Sequence, residues 1–149
     1  MKVLLQRARE ASVTVDGNVI GEIEHGLVAL VCAEPGDNDE TAAFMARKTA
    51  LTRIFEDDEG KMNRSVMDAG GSVLAISQFT LAAEWRKGNR PGFSRAAPPD
   101  IAEPLFDQYC AALRAEGLTV ATGSFGADMK VRLMNDGPVT IWMDSNNPL

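Results

Sequence analysis

One histidine, His25, is all that this chain of 149 residues offers, and its two cysteines, Cys32 and Cys110, stand far apart in apolar surroundings. A zinc centre draws several imidazole or thiolate ligands from short spacings, and neither C-x-x-C nor H-E-x-x-H occurs, so no metal is expected. A Ser-His-Asp triad would have to recruit His25, which lies in a Glu24-His25-Gly26 turn, and no nucleophile-elbow sequence accompanies it. Walker and dinucleotide-binding fingerprints are missing too, so no cofactor is expected. The cysteines read as buried free thiols of a reducing compartment rather than a disulfide framework. An enzyme built from this inventory must rely on positioning, backbone dipoles or its own substrate.

Positive charge is also scarce. Fifteen Lys and Arg face 21 Asp and Glu, a net charge of −6. Nonspecific neutralisation of phosphates needs a basic face, so a DNA-gripping protein is not expected. Arg86, Lys87, Arg90 and Arg95 nevertheless gather in one segment, AEWRKGNRPGFSRAAPP. These cations suit either a solvated loop or contact with the end of an RNA, which needs few phosphate contacts. No apolar run approaches the roughly 20 residues that span a bilayer, and MKVLLQRARE is too short in apolar residues for a signal peptide. A cytoplasmic protein with no membrane partner is expected. At 45% hydrophobic residues the chain can bury a real core, as a single domain over 1–149.

Alternation in Val3 to Gln6 and in Ala11 to Val15 predicts two strands, with Asp16-Gly17-Asn18 as a hairpin turn into Val19 to Ile23. Leu27 to Ala33 is a continuous apolar strand. Asn38 or Asp39 caps a helix to about Arg53, with Ala42, Phe44, Met45, Thr49 and Leu51 as its apolar positions. Glu56 to Gly60 lacks the spacing of a calcium loop and reads as a solvated turn. Ser72 to Ser77 is rich enough in Val, Leu and Ile to be a central strand, and Ala82 to Ala97 is a long aperiodic loop of the kind that is more often functional than idle. Pro98-Pro99-Asp100 opens a second helix with Leu105, Phe106, Tyr109 and Leu113 as its stripe and Gly117 as its end. Leu118 to Ala121, Met129 to Met134 and Val139 to Met143 complete the strands. The fold class is α+β: an antiparallel, barrel-like sheet with two main helices packed outside.

Two segments exceed ordinary punctuation. Ser77-Gln78-Phe79-Thr80-Leu81 ends the central strand, where chemistry is readily mounted on a rigid base. Asn135-Asp136-Gly137-Pro138-Val139-Thr140 interrupts two alternating apolar stretches with a proline, which removes a backbone donor and fixes φ, so a Gly-Pro turn between strands is expected. Together these segments resemble the paired signatures of the bacterial-type D-aminoacyl-tRNA deacylases, and the resemblance runs along almost the whole chain.

The resemblance implies hydrolysis of the ester that joins an amino acid to the terminal adenosine of tRNA, with the neighbouring 2′-hydroxyl of the RNA assisting. It implies that Ser77, Gln78, Phe79 and Thr80 line the catalytic pocket, the backbone of Phe79 and Thr80 orienting the carbonyl as an oxyanion site does. Phe125, Gly126, Ala127 and Met129 match the segment that cradles the adenine. Gly137 and Pro138, in cis, would place main-chain atoms where an L side chain would lie, which is selection by exclusion. A D residue escapes the clash, and glycine, lacking a side chain, would be cleaved as well. The motif is implied to reach into the pocket of a second subunit, hence a homodimer, with Arg7 bracing it. Glu84-Trp85 departs from the smaller polar residues of the family at that point. The sequence also accommodates a binding module that shields an RNA end or a small ligand, and an esterase with Thr80 or Ser77 as nucleophile.

Overall fold

The computed structural model describes residues 1–147, and Pro148 and Leu149, the end of the domain expected over 1–149, lie outside the described residues. The two short strands predicted near the amino terminus are one long strand, β1 (Lys2–Val15). Asp16 and Gly17 take positive φ values of 49° and 80°, as a two-residue hairpin turn demands, and return the chain as β2 (Asn18–Ile23), followed by β3 (Gly26–Cys32). The Asn38 Oδ1 accepts the Thr41 amide at 2.9 Å and starts α1 (Asp39–Leu51). This helix stops short of Arg53 because Thr52 turns to an extended backbone. Its buried face is Ala42, Met45, Ala46, Thr49 and Ala50, so Phe44 and Leu51 of the predicted stripe stand on the exposed side. Small residues let the helix lie close to its neighbours.

A two-stranded hairpin, β4 (Phe55–Glu56) and β5 (Met62–Arg64), frames the acidic turn, in which the Asp57 carboxylate accepts the amides of Glu59 and Lys61. Then come β6 (Ser72–Ser77), a 3-10 turn over Phe79–Ala82, α2 (Pro99–Ala115), β7 (Val120–Thr122) and β8 (Lys130–Asp144). The predicted stripe of α2 is buried in full: Leu105, Phe106, Tyr109 and Leu113.

β1 organises the sheet. One of its edges pairs with β3 along Lys2 to Ala8 and with β2 along Ala11 to Val15, and its other edge pairs antiparallel with β8 from Lys2↔Asp144 to Thr14↔Lys130. The expected wholly antiparallel sheet is in fact mixed, because β3 and β6 run parallel, as do β6 and β7. The chain carries α1 between the first pair and α2 between the second, and a crossover of that length brings the next strand back in the same direction. Near its open seam β2 approaches β7 closely: a Cβ on Gly21 would stand 2.5 Å from the Thr122 carbonyl oxygen. The result is a nearly closed, barrel-like sheet with two helices.

Alternation along the strands divides the apolar residues between two faces. Leu27, Ala29, Val73 and Ala75 face the main core with Met45, Ala46, Phe106, Tyr109 and Leu113 of the helices, while Val28, Leu74 and Ile76 join Val13 and Ile23 in a second cluster. The fully buried Tyr109 hydroxyl is not left unpaired, since it meets Thr49 Oγ1 at 2.8 Å, and Thr49 donates in turn to the Met45 carbonyl at 2.9 Å. No helix among the described residues is long and apolar enough to cross a membrane.

Candidate functional site

The carboxyl ends of the parallel neighbours β3 and β6 open onto a cleft of about 570 Å³. Val31, Cys32 and Ala33 form one part of its wall and Ile76, Ser77, Gln78 and Phe79 another. Ala97, Pro98, Ala102 and Phe106 close it from the α2 side, and Phe125 to Met129 with Val131 close it from the turn before β8. The strand-end segment and the turn, far apart in sequence, thus share one cavity. Both are segments for which the family resemblance implies a role in the site.

Parallel pairing places Ser77 beside Val31, and the Gln78 amide continues the ladder by donating to the Val31 carbonyl at 2.7 Å. The 3-10 turn then begins. Among the described residues the amides of Phe79 and Thr80 donate to no protein acceptor, as befits the first positions of a helical turn. Gln78 Nε2 donates to Thr80 Oγ1 at 2.5 Å, so the Thr80 hydroxyl faces an amide donor rather than a base. Thr80 itself is exposed and does not line the cleft. Phe79 stands at the rim with its ring edge-on to Phe93 at 5.1 Å.

The cleft is poor in groups that could take a proton. Asp128 is exposed and both its carboxylate oxygens accept from Lys130 Nζ at 2.9 Å. Burial pushes the Cys32 thiol up to about 11, with the nearby Glu34 carboxylate adding to the effect, so it is a neutral thiol at neutral pH and no nucleophile. His25 precedes Gly26, which pairs with Ser72, whereas Ser77 ends the same ladder five residues on, a separation of about 16 Å at ~3.3 Å per residue. The triad that would have needed His25 is therefore excluded by topology. Among the described residues no three His, Cys, Asp or Glu side chains converge on a point where a metal ion would sit.

Gly137 and Pro138 lie elsewhere. The strands predicted over 129–134 and 139–143 are joined not by a turn but by an outward bulge within β8, both halves pairing with the same β1. Gln6 pairs with Thr140 and Ala8 with Asn135, so Arg7 alone faces the four residues 136–139. Such a bulge cannot be held by the ladder. Side chains hold it instead: Asn135 Oδ1 accepts the Val139 amide at 3.0 Å and its Nδ2 reaches the Val139 carbonyl at 3.3 Å. Arg7, only 7% exposed, donates from Nε to the Asp136 carbonyl at 2.9 Å and from Nη1 to the Ile54 carbonyl at 2.7 Å. The Gly137–Pro138 peptide is cis, and both residues are exposed and absent from the lining of the cleft in their own chain.

Of the residues read from sequence, Ser77, Gln78, Phe79, Phe125, Gly126, Ala127 and Met129 meet in the cleft, and Arg7 lies at the bulge that carries Gly137 and Pro138, bonded to Asp136 and close to Gly137. Thr80 stands just outside the first group. Sequence reasoning missed Phe93, Cys32, Phe106 and Asn135. Phe93 had a signal, as the aromatic residue of a Gly- and Pro-rich loop, while Cys32 and Phe106 looked like any core residue.

The model of the family described as D-Tyr-tRNA(Tyr) deacylase matches residues 4–144. A D-aminoacyl-tRNA deacylase of Cereibacter sphaeroides is 59% identical over 145 residues, covering 97% of this chain and 100% of that protein. One of Ruegeria pomeroyi is 59% identical over 144 residues, covering 97% and 99%. A solved structure titled c-Myc DNA unwinding element binding protein superposes with a TM-score of 0.91 at 40% identity, covering 97% of this chain and 99% of its own. A probable eukaryotic D-amino acid tRNA deacylase, 19% identical with a TM-score of 0.77 over 95% of this chain and 97% of its own, shares the fold.

Proposed function

The chain belongs to the D-Tyr-tRNA(Tyr) deacylase family and is a hydrolase of the D-aminoacyl-tRNA deacylase kind, and from that premise we propose how its cleft selects and cleaves the ester. The aminoacyl-adenosine at the 3′ end of tRNA occupies the cleft. Its adenine lies against Phe125, Gly126, Ala127 and Met129, and its ester carbonyl points at the unoccupied amides of Phe79 and Thr80, which stabilise the developing oxyanion. Ser77 and Gln78 complete the wall behind the carbonyl.

One observation carries the proposal. Among the described residues the cleft holds no side chain fit to act as a general base, since its carboxylate is exposed and paired with a lysine and its thiol is neutral. The 2′-hydroxyl of the terminal ribose, adjacent to the ester, supplies the missing assistance, and neither metal nor cofactor takes part. A D-tyrosyl-tRNA ending in 2′-deoxyadenosine is therefore hydrolysed at least about tenfold more slowly, a hydrogen bond in the transition state being worth about 1.4 kcal/mol. Single-turnover deacylation measures it. An unchanged rate would favour a Thr80 or Ser77 nucleophile and reject the proposal.

Chirality is read by Gly137 and Pro138 from a second copy of the chain. Both residues are exposed and stand outside their own cleft, and the same strand carries Met134 and Trp142 at 56% and 49% exposure, apolar area that a homodimer would cover. The main chain of the bulge fills the space an L side chain would need, so D-aminoacyl and glycyl esters are cleaved and L esters spared. The enzyme works in the cytoplasm, where its aminoacyl-tRNA substrate is used.

A further inference from the structure

The loop between the 3-10 turn and α2 is shaped as a projecting hairpin. Glu84 and Gly92 exchange backbone hydrogen bonds of 2.8 and 2.9 Å, so residues 85–91 stand out as its tip. At its base Phe93 packs edge-on against Phe79 at the rim of the cleft, and the Ala97 amide ties the far end to the Ala33 carbonyl at 2.9 Å. The hairpin is thus anchored to the cleft at two places. At its tip Trp85 is 68% exposed, the most exposed large apolar side chain among the described residues, and the Arg86 guanidinium lies over its ring at 5.5 Å.

Charge reinforces the reading. From Trp85 to Pro99 the chain carries Arg86, Lys87, Arg90 and Arg95 and no acidic residue, although the whole chain has a net charge of −6. The Glu84 carboxylate engages only Arg86 among the described residues, and Lys87, Arg90 and Arg95 have no ion-pair partner there. An exposed aromatic ring backed by a guanidinium within a basic strip is the combination that holds single-stranded nucleic acid, where bases stack and phosphates are neutralised.

We propose that Trp85, with the cations of residues 86–95, is a stacking platform for the unpaired nucleotides that immediately precede the terminal adenosine of tRNA. The proposal rests on the cleft being the seat of that adenosine. The rim position of Phe93 then puts the preceding nucleotide at the foot of the hairpin and its neighbour within reach of the tip.

The test compares Trp85→Ala and Trp85→Phe with the wild-type enzyme in two assays. In the first, binding of uncharged, fluorescently labelled tRNA is followed by anisotropy. Trp85→Ala weakens the Kd about tenfold and Trp85→Phe by less than about threefold, in keeping with the known worth of one stacked base. In the second, Trp85→Ala raises KM for D-tyrosyl-tRNA about tenfold with kcat held, and hydrolysis of D-tyrosyl-adenosine, which has no preceding nucleotides, does not change. Equal tRNA affinity for Trp85→Ala and wild type would overturn the platform while leaving the deacylase reading intact. An equal loss on D-tyrosyl-adenosine would also overturn it, because the ring would then be shaping the cleft. Loss of tRNA binding in Trp85→Ala by a protein that hydrolyses no ester would uphold the platform and reject the chemistry.

Discussion

Gly137→Ala lowers the ratio of D-tyrosyl-tRNA to L-tyrosyl-tRNA hydrolysis by at least about 100-fold, equivalent to about 2.7 kcal/mol of discrimination. Gly137 has φ of 139°, a region that L residues rarely adopt. A Cβ there would stand 2.7 Å from Val139 Cγ2 and 2.8 Å from the Val139 amide nitrogen, with the Arg7 guanidinium at 3.3 Å. The Val139 amide is the donor that Asn135 Oδ1 accepts, so the methyl group cannot be accommodated without opening the neck of the bulge. In the proposed mechanism, a main chain that has moved no longer fills the volume denied to an L side chain. Rates on the two esters at equal enzyme concentration give the ratio. An unchanged ratio in a folded variant would mean that chirality is read elsewhere.

Arg7→Ala removes a nearly buried brace and strongly destabilises the fold. The side chain is nearly buried and donates to the carbonyls of Asp136 and Ile54, tying β8 to the segment that follows α1. Removing it strands two carbonyl oxygens. With two charge-assisted hydrogen bonds worth about 1.5–3 kcal/mol each, the loss of stability is about 3–6 kcal/mol. The contact between Nη2 and Glu56 at 3.9 Å adds little, since Glu56 is exposed. Urea unfolding measures the change, and deacylation of D-tyrosyl-tRNA falls with it. Arg7→Lys separates position from charge: an ammonium is a compact donor without the planar fork and cannot serve both carbonyls in the same geometry, so it recovers only part of the stability. A loss below about 1 kcal/mol in Arg7→Ala would show that the bulge holds its shape without this brace.

Much of this organisation is legible in the sequence, and for identifiable reasons. The stripe Leu105, Phe106, Tyr109, Leu113 has helical spacing and large residues, and it is buried in full. In α1 the periodicity misleads, because the buried face is built of Ala42, Ala46 and Ala50, which carry little hydrophobic signal, while Phe44 and Leu51 are exposed. Strand direction is a global property. Nothing local in Leu27 to Val31 or Val73 to Ile76 says that these strands run parallel; the intervening α1 does. The place of Ser77 to Phe79 at the end of an apolar strand was legible from the pattern, while their role was implied only by the family resemblance. The bulge was legible as an interruption but not as a bulge, since two collinear half-strands and a hairpin read alike until their common partner β1 is known. Asn135 was quoted as part of a motif, yet its clamp on Val139 depends on the four-against-one register that only the fold reveals.

In the proposed mechanism a cleft lacking a general base cleaves D esters and spares L esters. The most direct test is the deacylation of D-tyrosyl-, glycyl- and L-tyrosyl-tRNA by the purified wild-type protein, side by side, with EDTA present. Rapid loss of the D-tyrosyl and glycyl esters is expected, with survival of the L-tyrosyl ester at its uncatalysed rate. Hydrolysis of the L-tyrosyl ester at a rate comparable to the D ester would contradict that mechanism.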